Sequence, residues 1–308
     1  MVFGESPIKD VYRRLVWGPY RRGLNRLPAG SEIRANRALG RLVYRAASGQ
    51  RARVMANLRR AFPDRDDLDH VCEKVFQNHF ADQYVSWTFA RIAAGEGTSY
   101  VQLRGVEHLD SALKSGGAVL MHPHMGCAQL PLCQLGALGY SVNQVGGGGV
   151  EGPISAEGER VTRLRHRLEE EVPGRIWDGR SLRPILRRLE AGEVVLSAVD
   201  GTGGGKELGR RYEREVLGQR MRVPVGAVYM ALRSGAALLP LHTWYEARNG
   251  DHSSVIAEAI ELDRDLPLKA ALEQGADIVA EHLSRWLSAH PGDWHFWDEF
   301  EPGGLLCA

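Results

Sequence analysis

Gly117-Ala118-Val119-Leu120-Met121-His122-Pro123-His124-Met125-Gly126-Cys127-Ala128-Gln129 is the stretch on which the reading of the fold turns. The apolar run 117–121 is short and bounded by turn residues, as expected of a buried strand. It delivers His124 to a turn, with a second polar side chain, Gln129, five positions later. A neutral imidazole held in such a turn can take the proton of a hydroxyl as its oxygen attacks a carbonyl. A carboxylate at the fifth position would orient the ring and stabilise the imidazolium. Gln129 can accept the ring N–H through its carbonyl oxygen, but it supplies no negative charge.

Outward from that turn the pattern alternates. Strands are expected at 117–121, 140–145, 194–199 and 236–243, and helices at 127–138, 158–171, 181–191, 224–234 and 267–289. This alternation predicts an α/β fold: a mixed, mostly parallel central sheet flanked by helices. Residues 1–95 read as helical. Pro7 opens a segment that Gly18-Pro19 breaks, and 31–48 forms another with Ser31 as N-cap and Gly49 as its stop. A third runs from Arg51 to Ala61 and ends at Phe62-Pro63. Leu68, Val71, Val75, Phe76, Phe80, Tyr84 and Trp87 give 66–89 helical spacing. No linker or internal repeat divides the chain, so the division is an N-terminal helical, membrane-associating region (1–95) and a continuous core (96–308).

Composition narrows the class. With 308 residues, 44% of them hydrophobic, a sizeable core is possible, and a net charge of +1 argues against a partner bound through total charge such as nucleic acid. Nine arginines between Arg13 and Arg45 interleave with Tyr12, Leu15, Val16, Trp17 and Tyr20. They fit either a solvated helix face or contact with anionic lipid headgroups at a membrane surface. No run of 18 apolar residues implies a spanning helix, and no secretory signal is evident. The four cysteines lack metal-binding spacing, so no metal is expected, and reduced thiols suit the cytoplasm. Gly146–Gly149 and Gly203–Gly205 match neither a P-loop nor a dinucleotide fingerprint; they read as mobile loops or as close backbone approach to a substrate.

Four motifs occur in order: Asn57-Leu58-Arg59-Arg60-Ala61-Phe62-Pro63; His122 to Gln129; Val194 to Gly201 with Leu217-Gly218 and Pro224-Val225-Gly226-Ala227; and His290-Pro291-Gly292-Asp293-Trp294-His295-Phe296-Trp297. Over roughly residues 40 to 300 the series resembles the lipid A late-acyltransferase (lauroyl/myristoyl acyltransferase) family of the lysophospholipid acyltransferase superfamily. The resemblance implies transfer of a fatty acyl group from a thioester on acyl carrier protein or coenzyme A to a hydroxyl of a lipid or glycolipid. No cofactor is implied beyond that co-substrate, and the implied location is peripheral, on the cytoplasmic face of the inner membrane. His124 aligns with the family's base, Gly126 with its glycine, Gln129 with its acid and Asp200 with its strand-end aspartate. Leu217-Gly218 replaces Phe-Gly, and Trp294 and Trp297 fit the tryptophan segment.

Cys127-Ala128 replaces the usual Asn-Trp, Gln129 replaces the carboxylate, and the usual N-terminal transmembrane anchor is missing. His122, Gly126, Cys127, Arg180, Arg183, Gly218 and Trp294 are the candidate substrate-binding residues, with the two arginines in reach of an oxyanion. The missing acid leaves three readings. Asp200, Glu207, Glu213 or Glu215 reaches the ring; a His–Gln pair suffices; or the chain is a catalytically degenerate lipid-binding or assembly subunit. An N-acyl or aminoacyl transfer is a close variant. A hydrolase is disfavoured because no G-x-S-x-G elbow occurs.

Overall fold

The structure is a computed structural model and describes residues 6–146, 155–178, 181–201, 209–246 and 250–307. Its centre is a seven-stranded sheet. The strands are β1 (Val101–Arg104), β2 (Ala118–His122), β3 (Val142–Gly146), β4 (Arg175–Asp178), β5 (Val194–Ala198), β8 (Ala237–Glu246) and β9 (Asp251–Ile256), in the order β1-β9-β8-β2-β5-β3-β4. Between β5 and β8 the chain forms a separate hairpin, β6 (Arg211–Val216) and β7 (Gln219–Pro224). All pairings in the large sheet are parallel except β8 with β9.

The apolar run at 117–121 is β2, near the middle of the sheet, and every residue of the strand is buried. Its side chains alternate between two cores. Val119 and Met121 join one with Val195, Trp286 and Trp297; Ala118 and Leu120 join the other with Leu196, Leu239 and Leu130. A strand covered on both faces is apolar throughout, which is why the sequence shows a continuous run there. The helices expected around it are present as Leu130–Ala137, Ala156–Glu169, Arg183–Glu190, Gly226–Ser234 and Leu268–Ala289.

The chain is helical from Pro7 to Ser99, apart from short turns, before β1 begins. Non-helical geometry at Gly18 marks the expected break before Pro19. Two boundaries differ from the sequence reading. Gly30, at φ 82°, occupies the N-cap position, so Ser31 is the first residue of the helix Ser31–Ala46. Ala47 then separates that helix from Ser48–Ala61, which contains Gly49 rather than stopping at it. The aromatics near the N-terminus also point inward. Trp17 is buried, edge-on to Tyr84 and Trp87, and the Tyr12 hydroxyl lies 2.6 Å from that of Tyr84. The apolar face left open on the helix Pro7–Leu15 is Ile8, Val11 and Leu15.

β1, β4, β9 and the hairpin were not anticipated. β1 and β4 are four-residue edge strands, and β9 reads Asp-His-Ser-Ser-Val-Ile; such segments are defined by their partners and not by apolar periodicity. Gly147–Gly149, Gly203–Gly205, Arg180 and Glu207 lie outside the described residues.

Candidate active site

β2 and β5 pair in parallel with His122 opposite Ala198. His124 and Asp200 therefore stand at the same distance beyond their strands, at the carboxyl edge of the sheet, where ligands of open α/β sheets bind. The register brings them into contact. His124 Nδ1 lies 2.7 Å from Asp200 Oδ1, and the His124 backbone N–H donates to Asp200 Oδ2 at 2.6 Å. The indole N–H of Trp294 donates to the same Oδ2 at 2.7 Å.

Asp200 is fully buried, while the His124 side chain is 35% exposed. A carboxylate accepting at Nδ1 assigns the ring proton to that nitrogen and leaves the Nε2 lone pair unshared. Burial acts to lower the His124 pKa; the charge and hydrogen bond of Asp200, with smaller contributions from Asp82 and Glu299, outweigh it and raise the value. For Asp200, burial acts upward. The His124 charge, the hydrogen bonds from its ring and backbone N–H, and the Trp294 indole together hold the carboxyl below its ordinary value.

The turn itself is clamped by the tail. Gly126 N–H donates to Asp293 O (2.9 Å), His295 N–H to His124 O (3.1 Å) and His295 Nε2–H to Gly126 O (2.6 Å). Gly126 sits at φ 57°, and a Cβ there would lie 2.9 Å from His252 Cδ2, so the position needs glycine for both conformation and space. The tail is fixed in turn by the N-terminal helices: Asn57 donates to Trp297 O (2.7 Å), and Asn78 to Gly292 O (2.8 Å) and Asp293 Oδ1 (2.7 Å). Phe296 stands edge-on to His124, with ring centroids 4.9 Å apart. Arg211, at the start of the hairpin, donates to Gly201 O (2.6 Å) and so braces the residue after Asp200.

The other candidates are placed as follows. Gln129 is the N-cap residue of the helix Leu130–Ala137, and its side chain forms no hydrogen bond among the described residues, so it does not take the acid's place on the ring. His122 is buried with its ring 6.1 Å from that of His124; burial first, then the His124 charge, push its pKa down to about 4 and keep it neutral. Cys127 is fully buried and its thiol is pushed up by burial, an environment that disfavours a nucleophilic thiolate. Trp294 is also fully buried and reaches Asp200 rather than a cleft. Gly218 occupies the hairpin turn, at the end opposite Arg211, where Leu217 N–H reaches Ser284 Oγ on the helix Leu268–Ala289. Arg183 is exposed at the first turn of its helix and bonds neither His124 nor Asp200. Glu213 pairs with Arg220, and Glu215 is exposed on β6.

Sequence reasoning missed Asp82 and Arg211, and it marked Asp293 and His295 only as members of the tail motif, without their roles. Asp82 Oδ1 accepts the Ala128 N–H at 3.1 Å, where the fifth-position region meets the N-terminal helices. No local pattern marks those roles, because each residue acts on a segment distant in sequence. No group of three or more His, Cys, Asp or Glu side chains among the described residues is arranged to hold a metal.

A sequence model of the family described as bacterial lipid A biosynthesis acyltransferase matches residues 21–299. Phosphatidylinositol mannoside acyltransferases of two Mycobacterium tuberculosis strains, CDC 1551 / Oshkosh and ATCC 25618 / H37Rv, are each 31% identical over 200 residues, 62% of this chain. The match spans 57% of the length of these relatives. The crystal structure of the 1-acyl-sn-glycerophosphate acyltransferase PlsC from Thermotoga maritima aligns with a TM-score of 0.38 and 16% identity, over 84% of this chain and 97% of that one.

Proposed function

Because the chain belongs to the bacterial lipid A biosynthesis acyltransferase family, we propose that it transfers a fatty acyl group from a thioester to a hydroxyl of a lipid or glycolipid, with His124 as the base. The observation that carries this reading is the 2.7 Å contact of His124 Nδ1 with a buried Asp200, on a ring that keeps solvent access. Asp200 supplies the carboxylate that Gln129 does not, which favours a working enzyme over a degenerate binding subunit.

The acceptor hydroxyl gives its proton to His124 Nε2 as its oxygen bonds to the thioester carbonyl carbon. Asp200 holds the ring in the Nδ1–H tautomer and stabilises the imidazolium that forms. When the tetrahedral intermediate collapses, the C–S bond breaks and the thiolate takes the proton back from Nε2. Atoms and charge balance without a metal or redox partner. The donor is a thioester of coenzyme A or acyl carrier protein, and the name of the mycobacterial relatives supports a glycolipid acceptor.

The helical region 1–95 is assigned to the membrane surface and 96–308 to the transfer core. No helix of the described residues is long and apolar enough to cross a membrane, and Ile8 is 82%, Val11 54% and Leu15 56% exposed. That face supports peripheral attachment to a membrane; the cytoplasmic side of the inner membrane is what the family resemblance implies.

The test is purified protein with acyl-coenzyme A or acyl-carrier protein and a panel of glycolipids, read by mass spectrometry. Wild type is expected to form acylated product and His124→Ala to lose at least about 10²-fold in rate. Equal rates for the two proteins would refute the assignment.

A further inference from the structure

Two N-terminal helices bring three arginines and a lysine onto facing sides. Arg34, Arg37 and Arg41 recur at i, i+3 and i+7 on the helix Ser31–Ala46, and His70, Lys74 and Gln77 at i, i+4 and i+7 on the helix Leu68–Gln83. Such spacings share one helix face. The helices run antiparallel, tied by Arg37 Nη2 to Gln77 Oε1 (2.9 Å) and Arg41 Nε to Glu73 (2.6 Å). They approach closely at Gly40, where a Cβ would lie 2.5 Å from Phe76 O. With Tyr245 at the end of β8, these residues line a cleft of about 390 Å³.

Of the four cations, Arg41 alone has a carboxylate partner at ion-pair distance among the described residues. Arg34 and Lys74 form no ion pair among the described residues. Arg37 is 8% exposed, its guanidinium carbon lies 3.3 Å from the centroid of the Tyr245 ring, and its buried Nη1 has no hydrogen-bond partner. Two carboxylates offset part of this charge: Glu73 bonds Arg41 and Gln77, and the buried Asp293, which accepts from Asn78 and from the Tyr245 N–H (2.8 Å), acts on Arg37 and Lys74 without bonding either. Asp251, whose carboxyl feels the Arg34 charge, is the third acidic group in range. A buried guanidinium with an orphan donor costs stability unless a ligand satisfies it.

We infer that this cleft is a phosphate-binding subsite, in which Arg37, Lys74 and Arg34 hold a phosphate of one of the two substrates. The inference rests on the acyl-transfer reading only for the choice of substrate. Position supports it. Asp293 joins the cleft wall at Tyr245 to the catalytic turn at Gly126, so both stand at the carboxyl edge of the sheet. A guanidinium fixed against an aromatic face presents its donors in a fork suited to phosphate oxygens. Two sources share this chemistry, coenzyme A and the headgroup of an anionic phospholipid.

The test uses the full chain and two exposed or half-buried positions whose reversal spares the core, Arg34→Glu with Lys74→Glu. One arm measures coenzyme A binding by calorimetry. The other measures co-sedimentation with phosphatidylcholine vesicles, with and without phosphatidylinositol. A charge-matched control, Arg163→Glu with Lys269→Glu, reverses exposed cations remote from the cleft. The cleft variant is expected to weaken one of the two arms at least about tenfold, and that arm identifies the source; the control should stay within about twofold of wild type. Both arms unchanged in the cleft variant, or an equal loss in the control, would overturn the subsite. These binding readouts need no turnover. A wild type that transfers no acyl group yet shows the cleft-specific loss would remove the transfer reading and leave the phosphate site standing.

Discussion

His124 derives its chemistry from a residue 76 positions away. The Asp200 carboxylate accepts three N–H donors, two from His124 and one from Trp294, which fixes both the ring and its tautomer. Asp200→Asn should therefore lower kcat by about 10⁴, the scale found when a serine protease triad loses its acid. Gln129→Glu should change kcat by less than about threefold, since that side chain does not hold the ring; steady-state assays of both variants check this. A gain of tenfold or more in the glutamate variant would mean that position 129 does act on the base. His124 and Asp200 were legible because each ends an apolar strand. Their pairing was readable only as one option among several carboxylates, since strand register is not written in either segment alone. Trp294 was legible as a motif residue, but its bond to Asp200 was not.

At the scale of elements, the catalytic turn is held by the tail and the tail by the N-terminal helices. Asn57 and Phe62, which the sequence shows only as the end of a helix, meet the tail at Trp297 O and at the Trp297 ring, 5.7 Å away. Asn57→Ala should cost about 1–3 kcal/mol, the loss of a buried donor that leaves a carbonyl unpaired. Urea unfolding measures it, and a change below 0.5 kcal/mol would show that the clamp is incidental. Gly126→Ala should be worse. It forces a Cβ into His252 at a backbone conformation that side chains rarely adopt, so loss of activity should accompany a fall in melting temperature. The four motifs were recognisable in the sequence by their order and spacing, which resemble those of a known family. The clamp that unites them was not, because its bonds go to backbone atoms of distant segments.

For the whole molecule, apolar runs and their alternation with helices were enough to read an α/β fold with a mostly parallel sheet. The strand order and the antiparallel β9 were not, since polar, short strands carry no periodic signal. The N-terminal aromatics illustrate the same limit. Composition left them open to a solvated helix face or a membrane surface, yet Trp17 and Tyr12 pack inward, and Ile8, Val11 and Leu15 form the open face. Ile8→Asp with Leu15→Asp should reduce vesicle binding by about tenfold or more, given roughly 1.5–3 kcal/mol for each large apolar side chain removed from a fully buried setting. Thermal stability should change little, because neither side chain is buried in the protein. Undiminished sedimentation with vesicles would move membrane contact elsewhere.

The pH dependence of kcat/KM in wild type and Asp200→Asn tests the His124–Asp200 base most directly. The neutral ring is the active form and its pKa is raised above 6.5, so wild-type activity should climb tenfold per pH unit through the acid range and level off above that value. Removing the carboxylate leaves burial to act downward. The limb of the asparagine variant should therefore shift to lower pH as its plateau falls. An acid limb at the same pH in both proteins, with an undiminished plateau, would contradict Asp200 as the partner of the base.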